Sequence, residues 1–140
     1  KDIHNDQWAA VAFREWMKLG KKAEAGGVGN IALETVCSQL VYTPETLFRL
    51  RNAVGPMVGL TLDPSHLLWM GADPIIAARE LGSAIHHVHG KDVRIERSLS
   101  AVNGLLVSKE VTDPAIRAWN YVAVGCGQDL QWWKEFFSVV

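Results

Sequence analysis

LTLDPSHLLWMGADP, residues 60–74, ends an apolar run in Asp63, breaks it with Pro64 and offers His66 three positions after the acid. Read backward, MVGLTLD (residues 57–63) alternates over the length of a strand. Successive strand side chains point to opposite faces, so Val58, Leu60 and Leu62 share one face while Gly59, Thr61 and Asp63 share the other. The first set suits packing against helices. The second is small and polar and finishes in a carboxylate. A strand that closes this way is either a solvated turn or the edge of a site.

Outward from it the chain repeats one plan. A helix is expected from about Asn5 to Ala25, with Trp8, Ala12, Trp16 and Leu19 at helical spacing and Gly26-Gly27 as its stop. The GGVG there lies between helix and strand, the wrong order for a phosphate loop. NIALETV (residues 30–36) is a strand, and Thr43-Pro44-Glu45 starts a helix that Gly55 closes. Asp73-Pro74 caps another helix, ended by Gly82, and AIHHVH (residues 84–89) is the third strand. Residues 90–128 read as a long irregular segment, and the closing helix runs from about Asp129 to Val140. Alternating strands and helices predict right-handed crossovers and a parallel sheet. The strand ends Glu34, Asp63 and His89 stand 29 and 26 residues apart, one βα unit each.

With 140 residues, a formal charge of -1 and 49% hydrophobic residues, the chain suits one core and one domain over residues 1–140. The near-neutral charge leaves no electrostatic footprint for nucleic acid, and no run approaches the ~18 apolar residues of a membrane span. Cys37 and Cys126 form no CxxC pair, so a reducing cytoplasm is the expected compartment. The chain opens on Lys1 and ends on WWKEFFSVV, which reads as a piece of something longer.

Glu34, Asp63 and His89 fall on the same kind of position, near the C-terminal end of a strand. Adjacent strands lie only ~4.8 Å apart, so tips on neighbouring strands can converge. Two carboxylates and an imidazole suit a divalent cation such as Mn²⁺, Mg²⁺, Co²⁺ or Zn²⁺. The bland alternative is a solvated cap for each acid and a hydrogen-bonded core position for the histidine. His66, Lys91 and Asp92 follow strand ends, within reach of a substrate; for Lys91 and Asp92 the alternative is an exposed turn. Arg117 suits a phosphate or carboxylate clamp, or else an arginine stacked on an aromatic ring. The Trp132, Trp133, Phe136, Phe137 cluster reads as packing.

VGLTLDPSHLLWMGADP followed by AIHHVHGKD resembles the sugar phosphate isomerase/epimerase family, the xylose isomerase-like TIM barrels grouped with AP endonuclease family 2. ALE, YTPETL and RAWNYVAVGCGQDLQWW fit the same pattern. The resemblance implies a partial (β/α)₈ barrel, its three strands being the fifth, sixth and seventh. It implies Glu34, Asp63 and His89 as three of four metal ligands, the fourth being a glutamate on a strand after the Trp132 helix. It implies that His66, a catalytic candidate, contacts the substrate or helps hold the site; Lys91 and Arg117 remain the further substrate candidates by position. Many relatives follow the first glutamate with a His-Pro pair, where this chain has Val36, Cys37 and Ser38.

The activity implied is isomerisation or epimerisation of a small sugar, sugar phosphate or polyol through an enediolate. Glu34 would be one of two carboxylates exchanging protons with substrate carbon. A metal-dependent dehydratase would use the same constellation. An AP endonuclease-like hydrolase would need more histidine and aspartate ligands and a basic face. A non-enzymatic alternative is a catalytically incomplete folding or assembly module. Open sheet edges and a helix rich in aromatics also predict a homo-oligomer.

Overall fold

The computed structural model describes residues 7–106 and 113–140. The expected helix start at Asn5 lies outside the described residues. The alternation expected from the sequence is present: an α/β fold whose parallel sheet has the order β1-β2-β3. Two compact units carry it, residues 1–61 with 83–87 and residues 62–82 with 88–140.

In the first unit a π-helical turn, Gln7–Ala12, leads into α1 (Phe13–Ala25). Trp8 is buried beside Phe13, with the Arg49 guanidinium 4.8 Å from its ring. Gly26 ends α1 as expected, its N–H donating to the Lys22 and Ala23 carbonyls. β1 (Ile31–Glu34) pairs in parallel with β2 (Val58–Leu62), in a register running from Ile31↔Val58 to Glu34↔Thr61. Between them α2 (Pro44–Val54) starts on a capping box in which the Thr43 and Thr46 side chains each accept the other's backbone N–H, with Pro44 in the first turn. It packs on α1 and contributes fully buried Leu47 and Leu50.

All five residues of β2 are buried. Its small face is therefore covered by protein, and Gly59 shows how. A Cβ added there would lie 2.5 Å from the Ala84 carbonyl oxygen and 2.5 Å from the His86 ring. The His86 imidazole occupies that space, with Nδ1 3.2 Å from the Ile31 carbonyl oxygen. The residue is glycine because a histidine on β3 (Ile85–Val88) needs the room.

In the second unit α3 (Pro64–Trp69) and α4 (Pro74–Leu81) start on Asp63 and Asp73, whose side chains accept backbone N–H groups. Residues 90–128 are not the irregular stretch expected. They hold β4 (Asp92–Ile95), α5 (Arg97–Asn103), a 3₁₀ turn (Pro114–Ile116) and β5 (Trp119–Val122). β4 and β5 pair antiparallel, from Asp92↔Val122 to Ile95↔Trp119. Val93, Ala118, Trp119 and Trp69 make a buried cluster there, the two indoles stacked with centroids 4.8 Å apart. The closing helix, α6 (Leu130–Val139), packs on α4 and buries Trp133 and Phe136, as the packing reading expects, but leaves Phe137 exposed. Among the described residues no helix is long and apolar enough to cross a membrane.

Replacing Gly59 with valine should destabilise the protein by ~1–3 kcal/mol, since neither a backbone carbonyl nor a packed ring can yield the missing ångström. Urea unfolding monitored by tryptophan fluorescence measures it; a midpoint equal to wild type would mean that His86 leaves the space at no cost.

Candidate functional site

Asp63 leaves β2 in extended conformation and becomes the N-cap of α3, so its two oxygens have different surroundings. Oδ1 accepts from the Ser65 backbone N–H at 3.0 Å and from the Ser65 hydroxyl at 2.5 Å. Oδ2 faces three nitrogens: Lys91 Nζ at 2.7 Å, His89 Nδ1 at 3.5 Å and His66 Nε2 at 3.6 Å. None of the three gives it a well-directed hydrogen bond, although it is fully buried. Burial works against the charge on this carboxyl, but the Lys91 ammonium, the Ser65 hydroxyl and His66 outweigh it and hold the pKa below the ordinary aspartate value.

The nitrogens arrive from separate elements. His66 comes from the first turn of α3 and is buried. His89 is fixed at the end of β3 by its backbone N–H, which donates to the Leu62 carbonyl. Lys91 directly precedes β4. Its ammonium also stands 3.4 Å from His66 Nε2 and 4.4 Å from the centroid of the Tyr121 ring. The Tyr121 hydroxyl, on β5, lies 3.1 Å from His66 Nδ1, the two rings meeting edge to face. Burial pushes the phenol up and outweighs the opposing effect of Lys91, so Tyr121 stays protonated at neutral pH.

Of the residues singled out in the sequence, Asp63, His66, His89 and Lys91 therefore come together. Glu34 closes β1 in the other unit, exposed, with Thr61 as its register partner two positions before Asp63. Arg117 follows the 3₁₀ turn and stacks over Trp119 at 4.8 Å, the aromatic contact that was the alternative for it. It also lines, with Arg94, Asn120 and Tyr121, an open cleft of about 520 Å³.

Asp92 is not the exposed turn that was one expectation for it. It is fully buried, and both oxygens are engaged. Oδ1 accepts from the Val93 and Gln128 N–H groups, and Oδ2 from those of Gly125, Gly127 and Gln128 and from the Trp133 indole. Gly127 has no room for a side chain, since a Cβ there would overlap the Val93 carbonyl and Asp92 itself. Sequence reasoning also passed over Tyr121 and Ser65. The signal for Tyr121 was the aromatic, β-favouring run WNYV, set in a stretch that looked like loop.

Asp63 Oδ2 and the His66 and His89 imidazoles are oxygen and nitrogen donors of the kind a divalent cation takes, with the Lys91 ammonium now standing 2.7 Å from the same oxygen.

The family model described as xylose isomerase-like TIM barrel (AP endonuclease 2) matches residues 1–140. The Bacillus subtilis (strain 168) protein YfiH is 86% identical over all 140 residues, which cover 45% of its length. The rhizopine catabolism protein MocC of Rhizobium meliloti is 33% identical over 92 residues, covering 66% of this chain and 28% of that protein. An inosose dehydratase of Clostridium tetani (strain Massachusetts / E88) is 32% identical over 90 residues, 64% of this chain and 30% of its own. A xylose isomerase domain protein from Planctomyces limnophilus shares the fold with a TM-score of 0.60 at 20% identity, over 91% of this chain and 39% of its own. The chain thus spans less than half the length of each.

Asp92 gives this region its stability test. Asp92→Ala strips an acceptor from five buried or half-buried N–H donors and should cost at least ~3 kcal/mol. Thermal unfolding reads it; a loss under ~1 kcal/mol would show that water replaces the carboxylate there.

Proposed function

The chain belongs to the xylose isomerase-like TIM barrel family, and from that premise we propose that its parent protein is a metal-dependent enzyme interconverting small sugars, sugar phosphates or polyols. The observation that carries this reading is the buried Asp63 Oδ2 with Lys91, His89 and His66 around it. Asp63 and His89 would hold a divalent ion (Mn²⁺, Mg²⁺, Co²⁺ or Zn²⁺), with Glu34 the further carboxylate ligand expected from the sequence. When bound, such an ion polarises a carbonyl and the neighbouring hydroxyl and lowers the cost of removing the proton between them. Glu34 would take that proton. His66 and Lys91 would bind the substrate hydroxyls, and Arg117 would receive an anionic end where the substrate has one. Returning the proton to the neighbouring carbon isomerises the sugar; returning it to the other face epimerises it.

A second reading shares the first step. If the deprotonated substrate instead loses the hydroxyl of the adjacent carbon, which leaves as water with the proton that Glu34 removed, the enzyme would be a dehydratase, and the 32% identity to an inosose dehydratase favours keeping this reading. Neither reading involves nucleic acid or a membrane, and both suit a cytoplasmic enzyme.

Asp63→Asn in the intact protein should weaken Mn²⁺ binding at least tenfold while leaving the fold unchanged, because the amide supplies no charge to a small ligand set. Calorimetric titration measures this, and unaltered affinity and stoichiometry would sink the assignment. The assembly that goes with this reading is a homo-oligomer. On α6, Leu130 and Phe137 remain exposed beside buried Trp133 and Phe136. Sedimentation velocity at micromolar concentration should give at least twice the single-chain mass; one chain's mass would remove the assembly from the reading.

A further inference from the structure

Trp119 is the middle of a three-layer stack. Trp69 lies parallel to it, with ring centroids 4.8 Å apart, and the Arg117 guanidinium carbon stands 4.8 Å from the same indole. The Trp119 indole N–H donates to the Leu105 carbonyl at 3.0 Å, which fixes the ring within its plane. One face of the indole is taken by Trp69, so the guanidinium has the other. An arginine held flat in this way keeps its N–H donors in the plane of the group, pointing sideways past the ring.

Among the described residues no carboxylate pairs with Arg117, while Arg94, on the same open cleft, is tied to Glu96 at 2.7 Å. Arg117 therefore brings the uncommitted positive charge of that cleft, which Ser98 and Asn120 also line. Tyr121 joins the cleft to the Asp63 cluster. It lines the cleft, its ring meets Trp119 edge to face at 5.1 Å, and its hydroxyl lies 3.1 Å from His66 Nδ1. The guanidinium rests over Trp119, two positions before Tyr121 on β5, a separation of about 7 Å along an extended strand. That is the reach of a small open-chain sugar from its reacting carbons to its far end.

We propose that Trp119 is a positioning residue: it holds Arg117 flat, so that the guanidinium edge forms the subsite for a terminal oxyanion, carboxylate or phosphate, of an open-chain substrate reacting at Asp63. The proposal deepens the sugar-converting reading and rests on it for the substrate's other end. A planar fork suits such a group because two parallel N–H donors match two oxygens of one anion. The stack sets the fork before the anion arrives, so little side-chain freedom is lost on binding. A neutral cyclic polyol would leave the arginine's charge unmatched, so this subsite disfavours it.

The test follows Arg117 itself in the ¹⁵N-labelled intact protein, treated with a chelator, with inorganic phosphate and acetate as separate probes. In wild type the Arg117 side-chain protons should be shifted upfield by the indole, and its Nε–H resonance should move saturably with at least one probe. The probe that binds more tightly names the anion: phosphate a sugar phosphate, acetate a sugar acid. Trp119→Leu should weaken that binding roughly threefold, and Trp119→Phe, which keeps a ring face, should recover most of it. Equal binding in Trp119→Leu, or no saturable response to either anion in wild type, overturns the proposal. Should Trp119→Leu not fold, wild type decides: the upfield shift must persist at saturation, and an anion that draws Arg117 off the indole ends the proposal. Because the chelator removes metal, these outcomes do not depend on the Asp63→Asn titration. An Arg117 indifferent to both anions leaves the metal reading intact, and a failed metal reading leaves the subsite.

Discussion

The division of labour between the two oxygens of Asp63 organises the second unit. Oδ1 turns the chain from strand to helix by accepting from Ser65, and that fixes the side chain without using its other oxygen. Oδ2 is then held buried, which works against its charge, and the Lys91 ammonium, the Ser65 hydroxyl and His66 outweigh that burial and hold the pKa below the ordinary aspartate value. Proline at the next position makes the turn rigid, since it has no N–H to compete for the carboxylate. The short motif DPSH is thus a single device: cap, turn and imidazole set by one acid.

What could be read from the sequence was what repeats or alternates. The strands around residues 31–34, 58–62 and 85–88 were legible because their apolar runs have strand length and helix caps flank them. The strand-end acids and histidines were legible because position in a βα unit is itself a pattern. β4 and β5 were not, because each is four residues long and each mixes charged or polar residues with apolar ones, DVRI and WNYV. They pack with the stacked Trp69 and Trp119 indoles, a contact between residues 50 positions apart that no local window contains. Tyr121 went unnoticed for the same reason, since its contacts with His66 and Lys91 come from strand pairing.

Gly59 marks another limit of local reading. The alternation assigned it to a small, polar face, and small it is, but the cause lies 27 residues away in the His86 ring that fills its place. A pattern can show that a face is kept clear without showing for whom. The same applies to Arg117, whose charge suggested a ligand while its geometry shows a guanidinium resting on Trp119 and lining a cleft shared with Tyr121.

Two aspartates near two strand ends show what separates a structural acid from a chemical one. Both are fully buried, and both sit where a sequence reader would place a site. Asp92 has each oxygen taken up by directed N–H donors from Val93, Gly125, Gly127, Gln128 and Trp133, so it cannot bind anything further without breaking the loop it ties down. Asp63 is saturated on one side only. A buried acceptor left short of directed partners costs stability, of the order of 1–3 kcal/mol, and nothing in the packing of α3 requires Oδ2, since Oδ1 alone forms the cap. Oδ2 is instead faced by the Lys91 ammonium at 2.7 Å and by two imidazoles, without a well-directed hydrogen bond, and that asymmetry, rather than the presence of an acid at a strand end, is what makes Asp63 the centre of the candidate site.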